Sequence, residues 1–187
     1  MRARGSRSQG LWPLARLGLF PGRNLQLQPL GRLVALRDQH RLVVLRTDGS
    51  LFAATRLPDG RARTDGISSS ITAAPGERAV AFTATRDDTH GSPGTETVYL
   101  LWAGARVAIP VHRERIEFAL CERGADLEWH RRWLLYSASE GKLVAIDTGG
   151  AHRAIHLSLL LGKLPGTSGD EGNLNFSAAW AGQPLEA

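Results

Sequence analysis

A single cysteine, Cys121, stands in the 187 residues. An internal disulfide is therefore excluded, and a zinc site would have to take its ligands from other residue types. A lone thiol of this kind reads as a buried structural side chain rather than a nucleophile. Lysine is nearly absent, with two residues against 21 arginines, while alanine and glycine are plentiful. That bias is the mark of a GC-rich bacterial genome and leaves the compartment open. No apolar run reaches the roughly 18 residues of a membrane helix, so no membrane span is expected.

Acidic residues are missing from positions 1–24, which hold Arg2, Arg4, Arg7, Arg16 and Arg23. With those five set aside, residues 25–187 carry 18 basic and 18 acidic side chains, so the net charge of +5 lies in the terminus. A protein that binds phosphate backbones concentrates positive charge on one face of its body, and no nucleic-acid partner is expected here. Residues 1–24 read as a basic N-terminal tail with at most one strand. The start, "MRARGSRSQGLWPLARLGLF", sets a basic region before an apolar patch. Pro13 and Arg16 break that patch and no clear small-residue cleavage site follows, which makes it a poor signal peptide.

Catalytic signatures are missing as well. The chain has no Gly-x-Ser-x-Gly, no His-Glu-x-x-His, no phosphate loop and no dinucleotide fingerprint. No catalytic residue, metal or cofactor is assigned, and a non-enzymatic role is the expectation.

What is present is a repeat. Hydrophobic content of 42% and charged content of 22% lie in the globular range. Three segments align: "GRLVALRDQHRLVVLRTDGSLFAATRLPDG" (31–60), "ERAVAFTATRDDTHGSPGTETVYLLWAGARVAIPV" (77–111) and "RRWLLYSASEGKLVAIDTGGAHRAIHLS" (131–158). Each opens on an arginine (Arg32, Arg78, Arg132) followed by an apolar run. A second run follows at 42–45, 98–102 and 143–146. A glycine turn comes next, at Asp48-Gly49, Ala103-Gly104 and Gly149-Gly150, and a third run closes the unit at 51–57, 107–111 and 154–157. A fourth run precedes each unit, at 25–28, 67–73 and 125–129. The period is near 45 once the insertion "RDDTHGSPGTE" (86–96) is removed from the middle unit. Short apolar runs at this period, interrupted by Gly, Pro and Asp-Gly, predict four-stranded antiparallel blades of a β-propeller and exclude a helical fold.

The expected fold is thus all-β: an arc of about three blades, at 25–57, 67–111 and 124–158, within a partial propeller domain spanning 25–187. A loose strand flanks each end, "LARLGLFPG" on one side and an extra strand at 175–181 on the other. Matching punctuation at Phe20-Pro21-Gly22, Leu57-Pro58-Asp59-Gly60 and Leu164-Pro165-Gly166 marks the passages between blades.

The phrase "TAAPGERAVAF" is similar to the "SPDGKxIAF"-type blade opening of TolB-like and WD-repeat-like bacterial propellers. "GKLVAIDTGGAHRAIHL" resembles the later strands of the same family and of quinoprotein-type propellers. The Trp-Asp dipeptide is absent, and Ser-Pro-Asp-Gly is replaced by Ala74-Pro75-Gly76-Glu77. The resemblance implies a propeller that binds proteins or small ligands and carries over no catalytic residue. The alternative is an accessory propeller domain, or a fragment, of a larger hydrolase or quinoprotein-type enzyme.

In a four-stranded meander the loops between strands two and three emerge at the same end as the passages between blades. That end collects the candidate partner-binding residues Arg86, Asp87, Asp88 and His90 of the insertion, with Arg61, Arg63, Arg113 and Arg115. A protein partner bound there, or self-association through blade edges, is expected. Three further features carry less. His152 and His156 share a strand face but lack a local third metal ligand. "SGDEGNLN" (168–175) only partly matches a calcium loop, and Asn175-Phe176-Ser177 is a sequon inside an expected strand. Trp102, Trp129, Trp133 and Trp180 read as wedges between blades.

Overall fold

The computed structural model describes residues 14–19, 25–38, 40–57, 70–86, 94–116, 126–137 and 142–157. Twelve strands form three four-stranded antiparallel sheets, each a meander in chain order. Blade 1 comprises β1 (Gln26–Leu30), β2 (Leu33–Arg37), β3 (Arg41–Arg46) and β4 (Leu51–Arg56). Blade 2 comprises β5 (Ile71–Ala73), β6 (Ala79–Arg86), β7 (Gly94–Trp102) and β8 (Ile109–Ile116). Blade 3 comprises β9 (Asp126–His130), β10 (Trp133–Ser137), β11 (Leu143–Asp147) and β12 (Ala154–His156). The second strand of each blade starts one residue after Arg32, Arg78 and Arg132, as the repeat predicts.

Each repeated arginine does the same backbone work. Its carbonyl accepts an N–H from the residue entering the next glycine turn: Thr47 to Arg32, Ala103 to Arg78 and Thr148 to Arg132, at 2.9 to 3.0 Å. The turn glycines Gly49, Gly104 and Gly150 sit at φ of +85°, +75° and +94°. A Cβ is disfavoured there, which is why glycine recurs at the period.

Strands two and three of each blade are buried on both faces, so they read as continuous apolar runs rather than as alternating ones. Alternation still decides which interface each side chain enters. Leu33, Ala35, Leu42, Val44 and Phe52 of blade 1 meet Val80, Phe82, Tyr99 and Leu101 of blade 2. Ala81, Val98, Leu100 and Val111 of blade 2 meet Leu127, Leu134, Tyr136, Val144 and Ile146 of blade 3. The innermost strands β1, β5 and β9 contact one another in turn. Gln28 donates its side-chain amide to Ile71 O (3.1 Å), and Leu127 N donates to Ser70 Oγ (3.2 Å).

The outermost strands of blades 1 and 2 both carry a bulge. Register shifts between Val44 and Leu45 in the β3–β4 pairing, and between Val98 and Tyr99 in the β7–β8 pairing. Phe52 and Val111 are left without an opposite residue, and both are buried in an interface. A bulge bends the strand and re-aims its side chains. At β8 it brings Val111 and His112 together onto the side facing blade 3.

Four sequence expectations need correction. "LARLGLFPG" does not open on a strand: Leu14–Leu17 is a 3-10 helix, and Leu17 and Leu19 pack on Leu36 and Val43 on the outer face of blade 1. The insertion 86–96 is partly strand, because β6 continues through Arg86 and β7 begins at Gly94. The third run of blade 2 does not stop at 111 but continues as β8 to Ile116. Trp102 is not a wedge, being 37% exposed at the end of β7, whereas Trp129 does pack into the interface of blades 2 and 3. The proposed strand at 175–181, Trp180 and the segment 168–175 lie outside the described residues.

Candidate functional site

Among the described residues, six of the seven buried polar or charged ones, Arg37, Asp38, Thr55, Thr83, Glu96 and Thr97, lie in the half of the sheets nearest the β2–β3, β6–β7 and β10–β11 connections. Burial of such groups costs free energy unless they are bonded or paired. Their concentration at one end singles that end out, and they fall into two clusters separated by the sheet of blade 2.

The first cluster joins blades 2 and 3. The Tyr136 hydroxyl donates to Glu96 Oε2 at 2.6 Å. Glu96 is 5% exposed, and burial pushes its carboxyl pKa above the usual range, while the bonds from Tyr136 and Thr83 oppose that rise. Thr83 Oγ1 has no partner at full hydrogen-bond geometry, so its contact with the carboxylate is the weaker of the two. The His112 ring packs against Tyr136 (centroids 5.5 Å) and His156 (5.8 Å). Its Nε2 lies 3.4 Å from Glu114 Oε2 without the alignment of a hydrogen bond. Burial lowers the His112 pKa, Glu114 pulls it back up, and His156 adds a further lowering. Lys142 completes the cluster, donating through Nζ to Glu114 Oε1 (3.1 Å) and to Arg115 O (2.9 Å).

The second cluster lies between blades 1 and 2. Arg37 ends β2 with 2% of its surface exposed. Its Nη1 donates to Thr83 O at 3.3 Å, and its Nε has no acceptor. The neighbouring Asp38 is engaged in the turn, where its Oδ1 accepts from the backbone N–H of His40 (2.8 Å) and Arg41 (2.7 Å). No carboxylate among the described residues pairs with Arg37. Burial alone draws its pKa down to about 10, a desolvation cost of roughly 3 kcal/mol carried by the folded state.

Of the residues singled out in sequence, Arg113 and Arg115 are exposed, and they sit in strand β8 rather than in a loop. Arg86 ends β6; Asp87, Asp88, His90, Arg61 and Arg63 lie outside the described residues. His156 meets His112 of the neighbouring blade. No group of three or more His, Cys, Asp or Glu able to hold a metal occurs among the described residues, and no described helix is long and apolar enough to cross a membrane. Glu114 falls on the loop face expected from the sequence, whereas sequence reasoning did not single out Glu96, His112, Tyr136 or Lys142. Only His112 and Glu114 left a signal, an i, i+2 pair on one strand face. No protein-family model and no curated protein matches the chain.

Proposed function

We propose that the chain is a non-enzymatic propeller module of the TolB-like or WD-repeat-like kind, which binds a protein or ligand through the end of the blades where the hairpin loops and inter-blade passages emerge. One observation carries this reading: six of the seven buried polar or charged side chains among the described residues gather at that end. A rigid scaffold that presents loops over such groups is the usual arrangement of a binding surface. The family likeness draws support from the place of Ala74-Pro75-Gly76-Glu77, which forms the β5–β6 connection with Gly76 and Glu77 both at positive φ. The test is affinity capture from a GC-rich bacterial host, with the wild-type chain and an Arg113→Glu/Arg115→Glu double variant as baits. Partners held by the wild type and lost by the variant support the reading. Identical partners on both baits remove this end from the functional account.

A second reading rests on blade number. The three sheets of the described residues are fewer than the about four to eight of a closed ring. We infer that the arc is completed by self-association through blade edges, or by another domain of a hydrolase or quinoprotein-type enzyme. Sedimentation at micromolar concentration tests the first form: a clean monomer removes it and leaves the second.

A further inference from the structure

The charges of blade 2 are sorted by face. Glu96 of β7 and Glu114 of β8 are register partners, and their side chains bond Tyr136 and Lys142 of blade 3. Thr97 and Arg113 form the neighbouring pair, followed by Thr95 and Arg115 beyond Glu96 and Glu114. Strand alternation turns these two pairs to the opposite side, toward blade 1, where Tyr99 and Leu101 of the same strand meet Leu33, Leu42 and Phe52. The side facing blade 3 therefore carries the carboxylates, and the side facing blade 1 carries the arginines. Deepest on that side is Arg37, which enters from β2.

Arg37 is a buried cation whose one hydrogen bond among the described residues is a long one to a neutral carbonyl. Its Nε is unpartnered, and no acid among the described residues answers its charge. Asp38, the nearest acid in sequence, is held in its own turn by two backbone N–H groups. Buried guanidinium groups are otherwise found paired with carboxylate or phosphate, whose two oxygens match the planar fork.

We infer that the Arg37 guanidinium, at the loop end of the interface between blades 1 and 2, anchors a binding site for an oxyanion, the carboxylate or phosphate group of a ligand. Thr97 lines the same side, and Arg113 contributes positive potential from the outer strand. The anion supplies the counter-charge that the chain's described residues do not. The site lies at the same end of the blades as the surface proposed above but does not need a protein partner, since a small anion can bind Arg37 whether or not one docks over the loops.

The test is calorimetric titration and thermal melting of the full chain with sodium phosphate and, separately, sodium acetate. Ionic strength is held constant with chloride. The expected result is saturable binding of at least one anion to the wild type, with a melting temperature that rises to a plateau. A response to phosphate alone identifies a phosphoryl ligand; a response to acetate alone identifies a carboxylate ligand. Arg37→Met should weaken binding by at least tenfold, and Arg37→Lys by about tenfold, because an ammonium cannot engage two oxygens in one plane. Two results overturn the inference: no saturable response of the wild type to either anion, or an equal response from Arg37→Met. Should Arg37→Met not fold, the wild-type titration and Arg37→Lys decide, and unchanged affinity in Arg37→Lys then counts against the site.

Discussion

Tyr136 of blade 3 donates its phenolic hydrogen to Glu96 of blade 2 across 2.6 Å, tying the two sheets together at a buried position. Tyr136→Phe removes the donor and keeps the ring in the interface. The buried carboxyl then loses a bond it cannot replace with water, so we expect a loss of about 1–3 kcal/mol in urea unfolding. Glu96→Gln keeps an acceptor for the hydroxyl and should cost less than Tyr136→Phe at pH 7. The reverse order would show that the hydroxyl is satisfied elsewhere.

Glu96 and His112 set opposite pH dependences at this interface. Glu96 has a raised folded pKa, so the folded state holds its proton more tightly, and stability falls as pH rises through the window above the unfolded carboxyl value. His112 has a lowered folded pKa, so stability falls as pH drops from the unfolded imidazole value through the folded one. Glu114 of β8, itself bonded by Lys142 of blade 3, and His156 of β12 are the groups that face His112. Melting curves across pH 4 to 9 should lose the fall in stability with rising pH above the unfolded carboxyl range in Glu96→Gln, and much of the fall with dropping pH below the unfolded imidazole range in His112→Gln. Parallel profiles for wild type and both variants would contradict these assignments.

The two-residue turns of blades 1 and 3 place Gly31 and Arg131 at the same point, with φ of +69° and +53°. Arginine pays a steric cost there that glycine does not. Arg131→Gly should therefore stabilise by about 0.5–1 kcal/mol, and Gly31→Ala should destabilise by a similar amount. Equilibrium unfolding of the two variants checks both signs.

Phe52 fills the interface of blades 1 and 2 from a bulge position, with 1% of its surface exposed. Phe52→Ala should cost about 3–5 kcal/mol, because the two facing sheets collapse only partly around the void. Phe52→Leu should cost much less, and if unfolding of both variants costs alike, the loss comes from the bulge and not from the cavity.

Much of the architecture was legible because a blade is a local object. Strands β2, β6 and β10 start beside Arg32, Arg78 and Arg132, and Gly49, Gly104 and Gly150 mark the same turn in every unit. Apolar runs and positive-φ glycines are properties of neighbouring residues, so periodicity exposes them. The misreadings came where local chemistry and tertiary burial disagree. "VHRERI" looks like a charged loop, yet it forms the half of edge strand β8 that carries His112 and Glu114 to one side and Arg113 and Arg115 to the other. "LARL" looks like an outer strand, yet Leu17 and Leu19 are drawn onto the apolar outer face of blade 1.

The sequence by itself determined the three blades of the described residues, the order of their strands and the places of the turns, because each follows from spacing along the chain. It also determined which end of the blades gathers the connections, since an antiparallel meander has only two ends. The tertiary structure alone decided that Glu96 meets Tyr136 forty positions away, that His112 meets His156, and that Arg37 lies buried against Thr83 with no carboxylate among the described residues paired to it. Those contacts depend on how one twisted sheet is laid against the next and on a single-residue bulge in β8. A one-residue change of register there would turn His112 away from His156 and Tyr136.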